Sequence, residues 1–228
     1  MKQSLLSETA RLKISLSEQQ LEQFCAFGEA LLEKNKVMNL TAITEPDAVA
    51  KLHFADCLAL LHCAEFRNKT LIDVGCGAGF PGVPLKLGEP SIRLTLLDSL
   101  QKRVNWLAET LGAMAVEAQC VAARAEEYGH REEFDIATSR AVARLNILAE
   151  LCLPFVKVGG VFLAMKGAAA PEELEEAESA IRLLGGKLEK VCPYAINGVE
   201  RCVLVIRKVK PTPPRFPRRY AKIKQQPL

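Results

Sequence analysis

Leu71-Ile72-Asp73-Val74-Gly75-Cys76-Gly77-Ala78-Gly79-Phe80-Pro81-Gly82 carries an apolar strand pattern straight into a glycine-rich turn. Leu71, Ile72 and Val74 supply the strand. Gly75, Gly77 and Gly79 lack Cβ atoms, so the backbone can turn sharply and approach a ligand, and the helix that follows aims its first N–H groups at that ligand. The spacing is G-x-G-x-G. A dinucleotide fingerprint needs a third small residue where this chain has Phe80, which makes NAD the weaker reading. Further on, Ile92, Leu94, Leu96 and Leu97 form a second apolar strand ending in Asp98, nineteen residues past Gly79. A carboxylate at that distance can accept hydrogen bonds from both ribose hydroxyls; the plainer alternative for Asp98 is a surface turn.

Working outward, strand and helix patterns alternate from about residue 70, with strands expected at 70–74, 92–97, 115–121, 134–138 and 160–165. That alternation implies a parallel sheet with right-handed crossovers. Gly185-Gly186 closes a last helix, and Leu188–Tyr194 and Val199–Val209 read as an antiparallel pair turning at Asn197-Gly198. The expected fold is therefore α/β and Rossmann-like, a mostly parallel seven-stranded sheet with helices on both faces. Its ligand crevice lies at the carboxyl ends of the strands, where Gly75 to Phe80, Asp98, Ala125-Glu126 and Ser139-Arg140 all fall. Before the sheet, Ser17 and Gln20 form a capping box for an amphipathic helix running to about Lys34, with a turn at Asn35-Lys36. Thr44 can cap a second helix with Pro46 in its first turn, and a third is expected over Asp56–Cys63. The organisation read from this is a helical cap at 1–66, the nucleoside-cofactor domain at 67–209 and a tail at 210–228.

The chain has 228 residues, 49% of them hydrophobic, enough for one α/β domain and an appendage. Met1 to Lys13 is polar and lacks the apolar run of a signal peptide, and no stretch approaches membrane-spanning length, so a cytoplasmic protein with no membrane association is expected. The eight cysteines form no C-x-x-C pair and read as free thiols. His53, Cys57, His62 and Cys63 fall close together, but on a helix they complete a packed face more readily than a tetrahedral zinc site, and no metal is expected. His53 can face the cofactor. A net charge of +3 hides an asymmetry: nine Lys or Arg and no acid lie between Arg201 and Leu228, leaving 21 basic against 27 acidic residues in the first 200. Five of the twelve prolines are also there, with Phe216 and Tyr220 interleaved. The tail is therefore expected to be extended rather than helical, with Arg215, Arg218, Arg219, Lys222 and Lys224 facing nucleic-acid phosphates. The bland alternative is a solvated tail.

The glycine loop preceded by Asp73 resembles that of class I S-adenosylmethionine-dependent methyltransferases. The resemblance becomes closer over Met38-Asn39-Leu40-Thr41-Ala42, His53-Phe54-Ala55-Asp56, Asp73 to Pro84, Leu97-Asp98-Ser99 with Lys102-Arg103-Val104, Ser139-Arg140-Ala141, Phe162 to Gly167 and Phe216-Pro217-Arg218-Arg219. In that order these resemble the ribosomal RNA small subunit methyltransferase G family, also called glucose-inhibited division protein B. The resemblance implies S-adenosyl-L-methionine as cofactor, 16S ribosomal RNA or the small ribosomal subunit as partner, and methyl transfer to N7 of guanine 527 of that RNA; a monomer is expected, though no residue pattern fixes the oligomeric state. Carried over, Gly75, Gly77, Gly79 and Phe80 form the cofactor loop, Asp98 holds the ribose, Ala125 and Glu126 flank the adenine, and Arg140 lies on the cofactor and substrate side. The tail departs from the family in continuing as Tyr-Ala-Lys after Arg219.

The residues agree with an N7 acceptor. Enzymes acting on exocyclic amines carry Asn or Asp, Pro, Pro and an aromatic after the fourth strand, where this chain has Thr138-Ser139-Arg140-Ala141. Pyrimidine C5 methylation needs a cysteine nucleophile, and the one cysteine in the loop, Cys76, belongs to the cofactor turn. Guanine N7 already has a lone pair, so positioning suffices and no general base is required. Arg140 is the candidate positioning residue, its planar fork suited to guanine O6 or a flanking phosphate, against a plain salt bridge to Glu126 or Asp73. Two other functions remain open on these residues: a small-metabolite methyltransferase with a solubilising tail, and a noncatalytic RNA-binding assembly factor.

Overall fold

The computed structural model describes residues 1–140, 143–167 and 169–228; Ala141 of the Ser139-Arg140-Ala141 motif lies outside the described residues. Helices α1 (Lys2–Arg11) and α2 (Glu18–Met38) open the chain, followed by α3 (Pro46–Val49), a π-helical turn (Ala50–Ala55), α4 (Asp56–Leu58) and a 3₁₀ turn (Ala59–His62). Then come β1 (Thr70–Val74), α5 (Gly82–Gly88), β2 (Arg93–Asp98), α6 (Gln101–Ala113), β3 (Gln119–Ala122), β4 (Phe134–Arg140), α7 (Leu145–Cys152), β5 (Val156–Lys166), α8 (Ala170–Leu183), β6 (Gly186–Ile196), β7 (Val199–Lys208) and α9 (Tyr220–Gln225).

The seven strands run β3-β2-β1-β4-β5-β7-β6. β1 to β5 pair in parallel, and β7 is antiparallel to both β5 and β6. Period-two alternation divides the central strands between two apolar layers. Leu71, Leu94, Leu96, Ile136, Val161, Leu163, Val203 and Val205 face the layer that includes Phe24, Phe27, Leu31 and Phe54 of the N-terminal helices. Ile72, Val74, Leu97, Ala137, Phe162, Ala164, Leu204 and Ile206 face the layer that includes Leu148 and Cys152 of α7, Ile181 of α8, and Phe216 and Ile223 of the tail. Strands buried on both faces must be apolar in both registers, which is why they read as near-continuous hydrophobic runs. The strand order reverses between β1 and β4, and that switch point sets the crevice beside Gly75 and Arg140.

The capping box holds as expected, with Gln20 N donating to Ser17 Oγ and Ser17 N to Gln20 Oε1. Asn197 and Gly198 both take positive φ, as a two-residue hairpin turn requires. Other expectations need correction. α2 runs through Asn35-Lys36 to Met38, because the Asn35 carboxamide leaves the helix surface to bind Leu40 N and the backbone of Thr41, and Asn39 ends the helix at φ 50°. Pro46 occupies the first turn of α3, but the cap residue is Glu45 rather than Thr44. The second and third expected helices are continuous, since the π turn joins α3 to α4 and the chain is helical from Pro46 to His62. β3 begins at Gln119, not 115, since Ala115 adopts φ 53° and Val116 N bonds back to Leu111 O to close α6. The tail is not wholly extended: Tyr220–Gln225 is free of proline and forms α9, which buries Ile223 completely.

Candidate active site

The glycine turn is tied to the end of β2. Gly75 N and Cys76 N both donate to Leu97 O, and Gly77 N donates to Asp98 Oδ2 at 2.9 Å. Leu100 N takes Asp98 Oδ1 at 2.9 Å, so backbone donors orient the carboxylate before any ligand arrives. Gly77 has φ 57° and no neighbour closer than 4.0 Å to where a Cβ would stand. Gly79 differs: it does not line the cleft, and a Cβ there would press on Val83 and Leu107, so its smallness serves helix packing. Asp73, beneath the loop, is fully buried and accepts from Gly82 N at 2.7 Å, while its Oδ1 has no partner among the described residues. Burial raises its pKa to about 7.

Two cavities meet at Gly75, Asp98 and Ser99. The larger, about 390 Å³, is walled by Leu40, Thr41, His53, Phe80, Arg103 and Arg140 along with the glycine loop. The smaller, about 190 Å³, is walled by Val74, Ala125, Glu126, Leu151 and Tyr220, among others. The pair suits an elongated ligand whose middle lies at Asp98.

On the wall of the larger cavity, Phe80 stacks on His53 with ring centroids 4.5 Å apart, and the Arg140 guanidinium sits over the Phe80 ring at 4.7 Å. Arg140 Nη2 donates to His53 Nδ1 at 3.0 Å, and Nη1 reaches Asp56 Oδ2 at 3.4 Å and Leu52 O at 3.5 Å. The ion partner of Arg140 is thus Asp56, not Glu126 or Asp73. Asp56 is almost fully buried and also receives the Tyr194 hydroxyl at 2.9 Å and Arg201 at 3.4 Å. Burial first, then the Asp56 charge, drives the Tyr194 pKa up. His53 is held neutral: burial, and then the Arg140 charge, push its pKa down to about 3. The π turn carries His53, and Asp56 follows it directly, which brings both side chains to one guanidinium.

At the smaller cavity the tail takes part. Tyr220 lines the cavity along with Ala125, and its N–H donates to Glu126 Oε1 at 3.1 Å. Two residues earlier, Arg218 grips Glu150 of α7 through its backbone N–H at 2.8 Å, Nε at 2.8 Å and Nη2 at 2.6 Å. Glu150 is wholly buried and the Arg218 side chain is 17% exposed. Arg218 is therefore a clamp that fixes the tail, a role its residue type did not reveal. Arg215, Arg219, Lys222 and Lys224 are exposed, and no ion pair holds them among the described residues. Of the residues expected at the cofactor, Gly75, Gly77, Phe80, Asp98 and Arg140 line the larger cavity, with Gly75 and Asp98 shared by the smaller one, where Ala125 and Glu126 lie. Thr41, Asp56, Tyr194 and Tyr220 were missed as site residues. Thr41 and Asp56 sat inside quoted motifs, which was a signal; Tyr194, on a strand expected only to pair, offered none.

The donor set fits S-adenosylmethionine. Gly75 and Gly77 line the cleft and nothing crowds Gly77, Asp98 offers oriented oxygens to a diol, and the smaller cavity is mostly apolar, as an adenine requires. Among the described residues no group of three or more His, Cys, Asp or Glu is placed to hold a metal, and no helix is long and apolar enough to cross a membrane.

Residues 20–200 match the family model described as rRNA small subunit methyltransferase G. A relative named ribosomal RNA small subunit methyltransferase G from Bacillus cytotoxicus is 48% identical, over 95% of this chain and 93% of its own. One of the same name from Clostridium botulinum is 41% identical, over 98% and 97%. Among solved structures, a SAM-dependent methyltransferase from Aquifex aeolicus covers 77% of this chain and 97% of its own, with TM-score 0.55 and 15% identity, which speaks to the fold alone.

Proposed function

The chain belongs to the rRNA small subunit methyltransferase G family and is an S-adenosylmethionine-dependent methyltransferase; on that premise we propose that it methylates N7 of guanine 527 in 16S ribosomal RNA. S-adenosylmethionine, when bound, supplies an electrophilic methyl on sulfonium. The guanine N7 lone pair forms the new N–C bond as the C–S bond breaks, leaving S-adenosylhomocysteine and a cationic 7-methylguanine. No proton moves in that step. The observation that carries the reading is the acceptor wall itself: beside Phe80 stands a histidine whose two ring nitrogens are both engaged and whose pKa is near 3, a poor base but a rigid surface.

In this reading the backbone at Gly75 and Gly77 and the Asp98 carboxylate hold the nucleoside, with Ala125, Glu126 and Tyr220 around the adenine. Phe80 and Arg140 orient the acceptor, the guanidinium being pinned by Asp56 and His53 with other N–H groups left for an RNA oxygen. Arg215, Arg219, Lys222 and Lys224 contact phosphates, while Arg218 holds the surface that presents them. On the division at 1–66, 67–209 and 210–228, the first segment contributes Thr41, His53 and Asp56 to the acceptor wall, the second Phe80, Arg140 and most of the cofactor site, and the tail Tyr220 and the RNA-facing cations. The test is transfer of labelled methyl from S-adenosylmethionine to small subunits and naked small-subunit RNA from cells lacking the protein, with the modified base mapped. A single 7-methylguanine is expected. Tight cofactor binding without transfer to either RNA would refute the proposal.

A further inference from the structure

Arg140 has donors only, so at 3.0 Å from its Nη2 the His53 Nδ1 must be the acceptor and bears no hydrogen. The imidazole proton is then on Nε2, since a ring without it would be an imidazolate. Nε2 lies 2.8 Å from Thr41 Oγ1, which must accept that proton. Ile43 N, 3.0 Å away, donates to the same oxygen. With both lone pairs of Thr41 Oγ1 filled, its own hydrogen is left to donate, and no acceptor for it lies within hydrogen-bond reach among the described residues. The Thr41 backbone is fixed by Asn35, whose Oδ1 accepts from the Thr41 N–H at 2.9 Å and whose Nδ2 donates to the Thr41 carbonyl at 2.9 Å, while His53 and Ile43 N hold the side chain. Its side chain stands on the wall of the larger cavity beside His53, Phe80 and Arg140.

A free hydroxyl rotates and serves equally as donor or acceptor. This one does not, because a guanidinium that never loses its proton sets the direction of the whole chain from Arg140 through His53 to Thr41. Guanine presents two acceptors, N7 and O6, on its Hoogsteen edge, whereas adenine presents N7 and an amino donor. An outward donor next to the place that N7 must occupy is satisfied by guanine and opposed by adenine. Resting on the guanine-N7 reading above, we propose that the Thr41 hydroxyl donates to O6 of the acceptor base, and that Arg140, acting through His53 as a positioning residue, locks it in that sense. The contact selects and registers the base. It adds nothing to the nucleophilicity of N7.

A cycle of protein and RNA changes tests this with the full-length enzyme at saturating S-adenosylmethionine. The substrates are small subunits lacking the modification, bearing either the natural guanine or adenine at that position. Affinity for each is read as a KM or, for the adenine form, as an inhibition constant. Thr41→Val should weaken the guanine subunit about tenfold and leave the adenine subunit unaffected, collapsing the preference, while Thr41→Ser restores it. His53→Phe, which frees the hydroxyl to rotate, should also erode the preference. If Thr41→Val costs the same on both subunits, or nothing on either, the hydroxyl does not touch the base and the proposal falls. A matching loss in calorimetric S-adenosylmethionine affinity would assign the donor to the cofactor carboxylate and likewise overturn it. Mapping the methyl made by the unaltered enzyme separates the two levels: a product other than 7-methylguanine refutes the functional reading, whereas 7-methylguanine without Thr41 selectivity refutes only this inference.

Discussion

Arg218→Ala is the change in which the sequence and the structure lead to different expectations. As a free cation in a basic tail, Arg218 would cost RNA affinity and little else. In the structure its guanidinium neutralises Glu150, a carboxylate with no solvent exposure, through bonds of 2.6 to 3.1 Å. Removing one partner of a buried ion pair costs about 3–5 kcal/mol because the other charge is left behind, and the 17% exposure of Arg218 puts this site near about 3 kcal/mol. Since the tail is terminal, the protein can shed that penalty by releasing Phe216 and α9, whose Phe216 and Ile223 side chains are buried against the sheet layer. Tyr220 leaves the smaller cavity, the proposed adenine site, with them. Amide exchange between residues 216 and 225 should accelerate, and S-adenosylmethionine should bind roughly fivefold more weakly, the loss of one aromatic contact of about 1 kcal/mol. Adding Glu150→Gln to Arg218→Ala removes the orphan charge and should recover much of the stability. Hydrogen-exchange mass spectrometry, urea denaturation and calorimetry read these together. The reasoning is refuted if Arg218→Ala leaves exchange, stability and cofactor affinity intact while weakening RNA binding.

Asp98→Ala removes the proposed ribose acceptor along with the group that Gly77 N and Leu100 N bind; cofactor affinity should fall between about tenfold and a hundredfold, since hydrogen bonds to a charged group contribute about 1.5–3 kcal/mol, and calorimetry showing less than threefold would contradict the assignment. The folded pKa of His53, about 3, lies below the ordinary histidine value of 6.5, so its contribution is complete above pH 6.5 and is lost as pH falls toward 3. Between pH 7.5 and 5.0 the native protein should therefore lose roughly 2 kcal/mol more stability than His53→Gln, and parallel urea curves at the two pH values would argue against a buried neutral ring. Replacing Arg215, Arg219, Lys222 and Lys224 together with glutamine should leave the melting temperature in place and flatten the slope of log affinity against log salt by about 3, from a contribution of about 0.7 per phosphate contact to single strands. An unchanged slope would make this a solvated tail.

The acid that ends β2 and the glycine loop after β1 were legible because each depends on chain-local facts: which residues tolerate positive φ, and where an apolar run stops. The alternation of strand and helix was legible for the same reason, and the topological rules for parallel sheets then placed Asp98, Ala125, Glu126 and Arg140 at one edge without any coordinates. Element boundaries were less so. The end of α2 depends on a carboxamide, Asn35, that bonds backbone groups five and six residues away, and the helix from Pro46 to His62 depends on a π turn that has no compositional signature.

By itself, then, the sequence determined the fold class, the glycine loop after β1 and the acid that ends β2, because these follow from periodicity and backbone permission within short stretches. Only the tertiary structure decided which cations are free and which are spent. Arg140 and Arg218 are one residue type and both read in the chain as facing RNA or cofactor, yet one orders a histidine and a threonine on the wall of the larger cavity while the other ties the tail to α7. Their roles rest on partners 84 to 88 and 68 residues away, Leu52, His53 and Asp56 for Arg140 and Glu150 for Arg218. A side chain's function in such a network is set by the charge and hydrogen-bonding sense of what meets it in space, and no local pattern encodes that meeting.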